Sequence, residues 1–162
     1  MSHFPAGPPR GAAFLLTQLG THAAMRFAER VAEHELTPPQ CGVLGLLSGR
    51  PGISQQELAA VLGMLPSRVV ALVDELEQAG HVQRVRDDAD RRRNALQLTE
   101  AGRRTLALVG RIGRAHEQDI CAALTDEEHE TLVALLGRMA DQQGLTPGVH
   151  PGYRTLRPAA RS

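Results

Sequence analysis

Three capping boxes mark the starts of helices in this chain of 162 residues and constrain its fold more than any other feature. They read TPPQ at residues 37–40, SQQE at 54–57 and TDEE at 125–128. In a capping box, the first hydroxyl accepts a hydrogen bond from a backbone N–H of the first turn. The Gln or Glu side chain three residues later accepts one from the backbone N–H of the first residue. The sequence therefore predicts helices that begin directly after residues 37, 54 and 125.

Apolar spacing and stop signals predict the remaining helices. Residues 11–35 carry apolar side chains three and four positions apart, which is typical of a helix with one apolar face. A GRPG stop at 49–52 ends the second helix, Gly63 ends the third, and Pro66 suits the first position of the fourth. The predicted helices cover residues 11–35, 37–48, 55–62, 66–80, 99–124 and 126–143.

Two short stretches between the fourth and fifth helices alternate apolar and polar residues. They are residues 81–86 and 94–98, and the charged segment 87–93 joins them. Alternation with a period of two, bounded by a polar turn, indicates a two-stranded antiparallel hairpin with one apolar face. The predicted fold class is therefore mainly α with a small antiparallel β wing.

Composition excludes several classes of protein. All eighteen basic residues are Arg, and they balance eighteen acidic residues, so a DNA-coating protein with a broad positive excess is excluded but a local basic site is not. Aromatic residues make up only 2% of the chain, which favours a helical core of Leu, Val and Ala. Neither a membrane-spanning run nor the apolar region of a signal peptide is found, so we expect a cytoplasmic protein without membrane contact.

The segment from Leu36 to Gly102 resembles the winged helix-turn-helix regulators of the MarR family. The most specific part is the hairpin, where DRR at residues 90–92 is followed by LQLTEAG at 96–102, similar to that family's DRR…L.LT..G signature. The resemblance implies a homodimer in which the first and last helices of the two chains interlock. It also implies a small-molecule or oxidant signal that weakens binding to an operator.

This resemblance divides the chain into five segments. Residues 36–98 form the winged helix-turn-helix domain, flanked by a first dimerisation helix at 11–35 and C-terminal dimerisation helices at 99–143. Outside them lie a flexible N-terminal arm at 1–10 and a flexible basic tail at 144–162, whose Pro and Gly content predicts poor order.

The start of the fourth helix is predicted to enter the major groove of double-stranded DNA. Arg68 has the geometry to bind guanine through two hydrogen bonds, Ser67 to bind a base or a phosphate, and Val70 and Ala71 to contact thymine methyl groups. On the wing, arginines at the turn are placed to reach a minor groove, and by resemblance Asp90 orients Arg91 or Arg92. The predicted DNA-binding residues are Ser54, Gln55, Pro66, Ser67, Arg68, Val70, Ala71, Arg84, Arg86, Asp90, Arg91, Arg92 and Arg93.

One face of the first helix is a candidate effector site. Phe14, Gln18, His22 and Arg26 recur every four residues and therefore share that face. Arg26 is suited to pair with a small anionic or phenolic effector. A solvated polar edge or a contact between subunits explains the same pattern.

Cysteines and histidines are the residue types of redox and metal sites. Cys41 lies early in the second helix, where a lowered pKa would make it an oxidant sensor, but packing as a small hydrophobic side chain is the simpler interpretation. The seven histidines form no HxxxH or CxxC pattern, and His116, Glu117, Asp119 and Cys121 do not together share one helical face. We therefore predict no metal, no cofactor and no enzymatic activity.

These observations predict a sequence-specific transcriptional regulator. We expect a ligand-responsive repressor that binds a pseudo-palindromic operator as a homodimer. Two alternatives remain open. One is a thiol-based redox-sensing regulator of the same fold, and the other is a winged-helix protein-interaction module without DNA binding, which the zero net charge favours.

Overall fold

The fold consists of helices that surround a single small hairpin. The computed structural model describes residues 11–86 and 94–154. Strands β1 (Val82–Arg86) and β2 (Asn94–Leu98) pair antiparallel, with Val82 opposite Leu98 and Arg86 opposite Asn94. The helices are α1 (Ala12–Ala32), α2 (Pro38–Gly49), α3 (Gln55–Leu62), α4 (Pro66–Gln78), α5 (Glu100–Ile120) and α6 (Asp126–Gln142), followed by a short 3₁₀ helix at Pro151–Arg154.

All three predicted capping boxes are formed. The backbone N–H groups of Thr37, Ser54 and Thr125 donate to the Gln or Glu side chain three residues later, at 3.0, 2.8 and 2.8 Å. Helix α4 begins differently, because Leu65 supplies no side-chain cap within the described structure and Pro66 occupies the first turn instead. This is a favourable place for proline, whose missing N–H would have had no helical partner there.

Three helices end at least two residues earlier than predicted. Helix α1 ends at Ala32, before a turn in which Glu35 has a positive φ of 58°. Helix α4 ends at Gln78, and Gly80 follows with a φ of 76°, a conformation that glycine adopts without steric cost. Helix α5 ends at Ile120, before the turn that leads to α6.

The main core lies between α2, α3, α4 and the hairpin. It is built from Leu and Val side chains that are almost fully buried, as the low aromatic content predicted. Leu98 closes the core from the hairpin side. The most buried large side chains there are Leu44, Leu47, Leu58, Leu62, Leu76, Leu96, Val43, Val69, Val73 and Val82.

The first and last helices are far more exposed. Within α6, all of which is described, no residue is buried, and Val31 is the single buried residue of α1. Both helices carry large apolar side chains on their surfaces, including Leu19 and Met25 on α1 and Val133 and Met139 on α6. Within the described ranges no single helix is long and apolar enough to span a membrane; α3 and α4 meet that criterion only jointly, across a 114° bend.

Residues 144–154, the first part of the predicted tail, contact the rest of the chain. Val149 is buried in the main core, and the Tyr153 hydroxyl donates a 3.0 Å hydrogen bond to the carbonyl of Pro38. The Tyr153 ring packs where α2 has Gly42, and a Cβ at that position would lie 3.2 Å from it. Two apolar side chains therefore anchor the segment: Val149 in the main core, and Tyr153 in the space that Gly42 leaves open on α2. The rest of the predicted tail, 155–162, and the predicted arm, 1–10, lie outside the described residues.

Candidate nucleic-acid interface and adjoining cavity

Helices α3 and α4 meet in a tight turn that exposes one face of α4. The turn follows Gly63, whose φ of 64° lets the chain reverse, and the two helices are bent by 114° relative to each other. This angle lies within the range of about 90–120° that is typical of DNA-binding helix-turn-helix units. Four of the predicted DNA-binding residues are exposed on α4: Pro66, Ser67, Val70 and Ala71.

Arg68 lies on a different side of α4 from the other predicted base-reading residues. Its side chain is half-buried beside Leu72 and Glu75, on the flank of the helix that faces a cavity. Its Nε atom is buried and has no hydrogen-bond partner among the described residues. The structure shows that Arg68 lines the cavity. Its contact with a DNA base stays a prediction.

Arg84 connects the wing to both helices of the helix-turn-helix. Its guanidinium donates hydrogen bonds to Asp74 and Glu77 on α4 and to Gln55 on α3, the last at 2.9 Å. Burial disfavours the charge, but the hydrogen bonds and charges of Asp74 and Glu77 outweigh it and raise the pKa of Arg84 above its ordinary value. The side chain is only 20% exposed. Arg84 therefore fixes β1 against α4, and a direct contact with DNA stays a prediction.

The remaining predicted interface residues divide into three groups. Ser54 caps α3, and Gln55 accepts the hydrogen bond from Arg84, so both have structural roles at the edge of the interface. Arg86 is exposed at the end of β1. The residues predicted on the tip of the wing, Asp90, Arg91, Arg92 and Arg93, lie outside the described residues.

A cavity of about 630 Å³ adjoins the back of α4. Its walls come from α1, the start of α2, α4 and the C-terminal turn, and they include Phe27, Pro38, Arg68, Glu75 and Tyr153. Apolar side chains dominate, with Arg68 and Glu75 as charged groups. Cavities of about 300–1,000 Å³ with a few polar groups commonly hold small molecules.

The predicted effector face on α1 does not line this cavity. Phe14, Gln18 and His22 are exposed, and Arg26 pairs with Glu29 at 3.0 Å. None of the four belongs to the cavity walls that the described residues form. Their role in effector binding stays a prediction, while the cavity marks a different place, nearer the helix-turn-helix.

Cys41 has the environment of a packing residue. It is buried with Val31 and Leu36, and burial raises the pKa of its thiol to about 11, against a smaller lowering by a backbone hydrogen bond. Burial also raises the pKa of Cys121, assisted by the charge of Glu117 and a hydrogen bond to it. Since the thiolate is the reactive form, both environments disfavour a redox-sensing role.

Sequence reasoning missed one cluster of metal-binding residue types. Glu117 and Cys121, four residues apart, share a face at the end of α5, and His129 on the first turn of α6 lies against them. The neighbouring residues His116 and Asp119 obscure this pair in the sequence, because they do not share its helical face. The signal that would have found it is the four-residue spacing together with the short connection to the capped start of α6.

Comparison with known proteins gives a consistent result. A sequence model described as the MarR family matches residues 34–93. A protein of Thauera aromatica named "Putative transcriptional regulatory protein for hcr operon" is 36% identical over 130 residues, which cover 79% of this chain and 78% of that protein. Transcriptional regulator HosA of Escherichia coli O157:H7 is 31% identical over 105 residues, or 65% of this chain and 78% of its own.

Solved structures show the same likeness. The transcriptional repressor CouR, solved bound to a 23-mer DNA duplex, superimposes with a TM-score of 0.71 at 34% identity, covering 80% of this chain and 92% of CouR. Wild-type MarR of E. coli in its apo form gives a TM-score of 0.73 at 22% identity, covering 82% of this chain and 98% of MarR, which shows a common fold.

Proposed function

The chain belongs to the MarR family of transcriptional regulators, and we propose that it is a ligand-responsive repressor that binds a pseudo-palindromic operator as a homodimer in the cytoplasm. The observation that carries this proposal is the exposed N-terminal face of α4, set at a helix-turn-helix angle beside the wing. A recognition helix inserts the N-terminal residues of such a face into the major groove. The DNA-bound CouR structure, at 34% identity, supports the same use of the fold here.

A second copy of the chain is the partner that we propose for α1 and α6. These helices expose apolar side chains such as Leu19, Met25, Val133 and Met139, whose exposed fractions are 56, 61, 52 and 45%. Large exposed apolar patches on soluble proteins mark interaction surfaces. Pairing through residues 11–35 and 99–143 would place two helix-turn-helix units on one operator, with a spacing that the dimer sets.

The cavity behind α4 is the effector site that we propose. Arg68 supplies a positive charge at its wall, and its buried Nε lacks a partner in the described structure, so a carboxylate or phenolate would satisfy it. Because Arg68 is part of α4, an effector bound there would shift the position of the recognition helix. Operator affinity would then fall without any change at the exposed residues Ser67 and Val70.

Selection of binding sites from random DNA duplexes at two salt concentrations tests DNA recognition. We expect an enriched inverted repeat, with Ser67→Ala relaxing the preference at one position of each half-site. Arg92→Ala, on the wing, should weaken all sites similarly and reduce the salt dependence by about one phosphate contact. Arg50→Ala removes the same charge at an exposed position outside the predicted DNA-binding residues and outside the proposed dimerisation segments, and it should change neither. Absence of enrichment, with weak and salt-insensitive binding, would refute the repressor and favour the protein-interaction module.

Arg68→Ala distinguishes the two roles considered for that residue. If Arg68 lies at the effector site, the variant keeps the selected operator but loses thermal stabilisation by aromatic carboxylates and phenols, with benzoate and phenol as first probes. If Arg68 reads guanine, the selected sequence changes instead. A variant with an altered operator and an unchanged probe response would contradict the proposed effector site.

A further inference from the structure

The junction of α5 and α6 brings three different metal-binding side chains together. Glu117 lies on the last turn of α5, Cys121 directly follows that helix, and His129 lies on the first turn of α6. The Nε2 of His129 is 2.6 Å from Oε1 of Glu117, and the Sγ of Cys121 is 3.8 Å from the same oxygen. One carboxylate oxygen, one sulfur and one imidazole nitrogen all lie within 4.8 Å of one another.

This donor set matches the preferences of Zn²⁺. Structural and catalytic zinc sites use Cys sulfur, His nitrogen and carboxylate oxygen at about 2.0–2.3 Å, which places neighbouring donors roughly 3.3–3.6 Å apart in a tetrahedron. The observed separations of 2.6 and 3.8 Å bracket that range, so small side-chain rotations would complete the geometry. Three protein ligands leave a fourth position for water, as in catalytic zinc sites, whereas most structural sites have four protein ligands.

The charges of the donors also suit a divalent ion. A metal-bound thiol is deprotonated, so the ion would hold Cys121 as a thiolate beside the carboxylate of Glu117 and neutralise both charges. Without metal, Glu117 joins the three side chains through its contacts with His129 and Cys121.

We propose that Glu117, Cys121 and His129 bind a Zn²⁺ ion that braces α5 against α6. The ion would join the end of α5 to the start of α6. The same end of α5 is also joined to α1, by a 2.5 Å ion pair between Arg30 and Asp119. The proposal replaces the expectation of no metal, which rested on the absence of HxxxH and CxxC patterns. It does not depend on DNA binding, so its test and that of the proposed function fail independently.

Titration of the metal-free, reduced full-length protein with Co²⁺ tests the site directly. We expect one Co²⁺ per chain, with the visible bands of a tetrahedral ion and a near-ultraviolet charge-transfer band from sulfur to metal. Zn²⁺ should displace Co²⁺ one for one. Binding should strengthen as the pH rises, since the ligands must lose their protons.

Matched variants identify the ligands. Cys121→Ser should abolish the sulfur band, and His129→Gln should weaken Co²⁺ binding by at least about 100-fold, since even residues that only support metal ligands change affinity by 10–100-fold. Cys41→Ser removes the other cysteine, and His34→Gln removes an exposed histidine elsewhere on the chain; both should bind normally. Zn²⁺ should also raise the Tm of the wild type but not of Cys121→Ser.

Three results would overturn the proposal. The first is the absence of a sulfur band in the wild type at saturating Co²⁺. The second is a band that persists in Cys121→Ser or disappears in Cys41→Ser. The third is equal Co²⁺ affinity in the wild type and His129→Gln, because the metal would then bind without the histidine. Circular dichroism of each variant excludes misfolding as the cause of a lost signal.

Discussion

Among the glycines whose surroundings are described, Gly102 is the one at which an added methyl group should lower the stability most. It lies on the first turn of α5, and a Cβ there would be 1.9 Å from the carbonyl oxygen of His81 and 2.9 Å from its carbon. That carbonyl accepts a 3.0 Å hydrogen bond from the N–H of Thr99, and the Thr99 hydroxyl donates to the carbonyl of Gly80 at 2.6 Å. The added methyl group would therefore collide with backbone atoms that these hydrogen bonds hold in place at the base of the wing.

The expected cost of Gly102→Ala follows from what must move. Relieving the overlap requires a shift of more than about 1 Å, which breaks the two hydrogen bonds of Thr99 at about 1 kcal/mol each. Overpacking adds about 1–3 kcal/mol, and the better helix propensity of alanine returns up to about 1 kcal/mol. We expect a net loss of about 2–5 kcal/mol in the free energy of unfolding. For a chain of this length, that lowers Tm by roughly 5–20 °C.

Urea and thermal unfolding followed by circular dichroism measure this loss, at one fixed protein concentration because the protein is proposed to be a dimer. Gly45→Ala is the matched control, since Gly45 is also helical but has no described atom within 4 Å of its added Cβ. It should leave stability unchanged or raise it by up to about 1 kcal/mol. If Gly102→Ala is as stable as Gly45→Ala, the close approach to His81 is not what selects glycine.

Three further predictions concern the C-terminal turn, a thiol and a histidine. Gly42→Ala should press on Tyr153, cost about 1 kcal/mol relative to Gly45→Ala in urea unfolding, and speed proteolysis of the C-terminal turn. Cys41, with a thiol pKa of about 11, should stay unreactive towards Ellman's reagent in the folded protein at about pH 7; rapid labelling would revive the redox-sensing alternative. Burial, and then the charge of Arg30, lower the pKa of His116 below 6.5. The unfolded state therefore binds the proton at a higher pH than the folded state, and the free energy of unfolding should fall as the pH drops below about 6.5. Urea unfolding at several pH values measures this fall, which should be shallower in His116→Gln.

Local signals made most of the fold predictable. Each capping box joins residues only three positions apart, so the boxes at Thr37, Ser54 and Thr125 could be identified from sequence and are formed as expected. The hairpin strands follow from alternation within five residues, and β2 occupies the predicted range. Local patterns succeed here because the hydrogen bonds that they describe are themselves local.

The C-terminal turn could not be predicted because its contacts are distant in sequence. The Tyr153 hydroxyl binds the carbonyl of Pro38, 115 residues away, and Val149 enters a core formed by earlier helices. Averaged over residues 144–162, the Pro and Gly content indicates disorder. Two side chains within that stretch nevertheless contact the earlier helices, and burying one large apolar side chain contributes about 1.5–3 kcal/mol.

The number of charged residues in the sequence did not predict the role of Arg84 at the interface. Between residues 84 and 93 it gives five Arg against three Asp, which suggests a surface for phosphates. The acidic partners of Arg84, however, are Asp74 and Glu77 on α4, outside that window. Only the folded arrangement shows that this arginine joins the wing to the recognition helix.

The two sides of α4 explain how one helix would serve both parts of the proposed function. Ser67 and Val70 face outwards, where DNA would bind, while Arg68 and Glu75 on the flank line the cavity. Glu75 is held by a 2.9 Å hydrogen bond from the Gln40 side chain, so the cavity side of α4 is tied to the capped start of α2. An effector that pairs with Arg68 would act on the same rigid element that reads the operator. Coupling between the two sites then requires only a rotation or shift of α4, with no chain of intermediate residues.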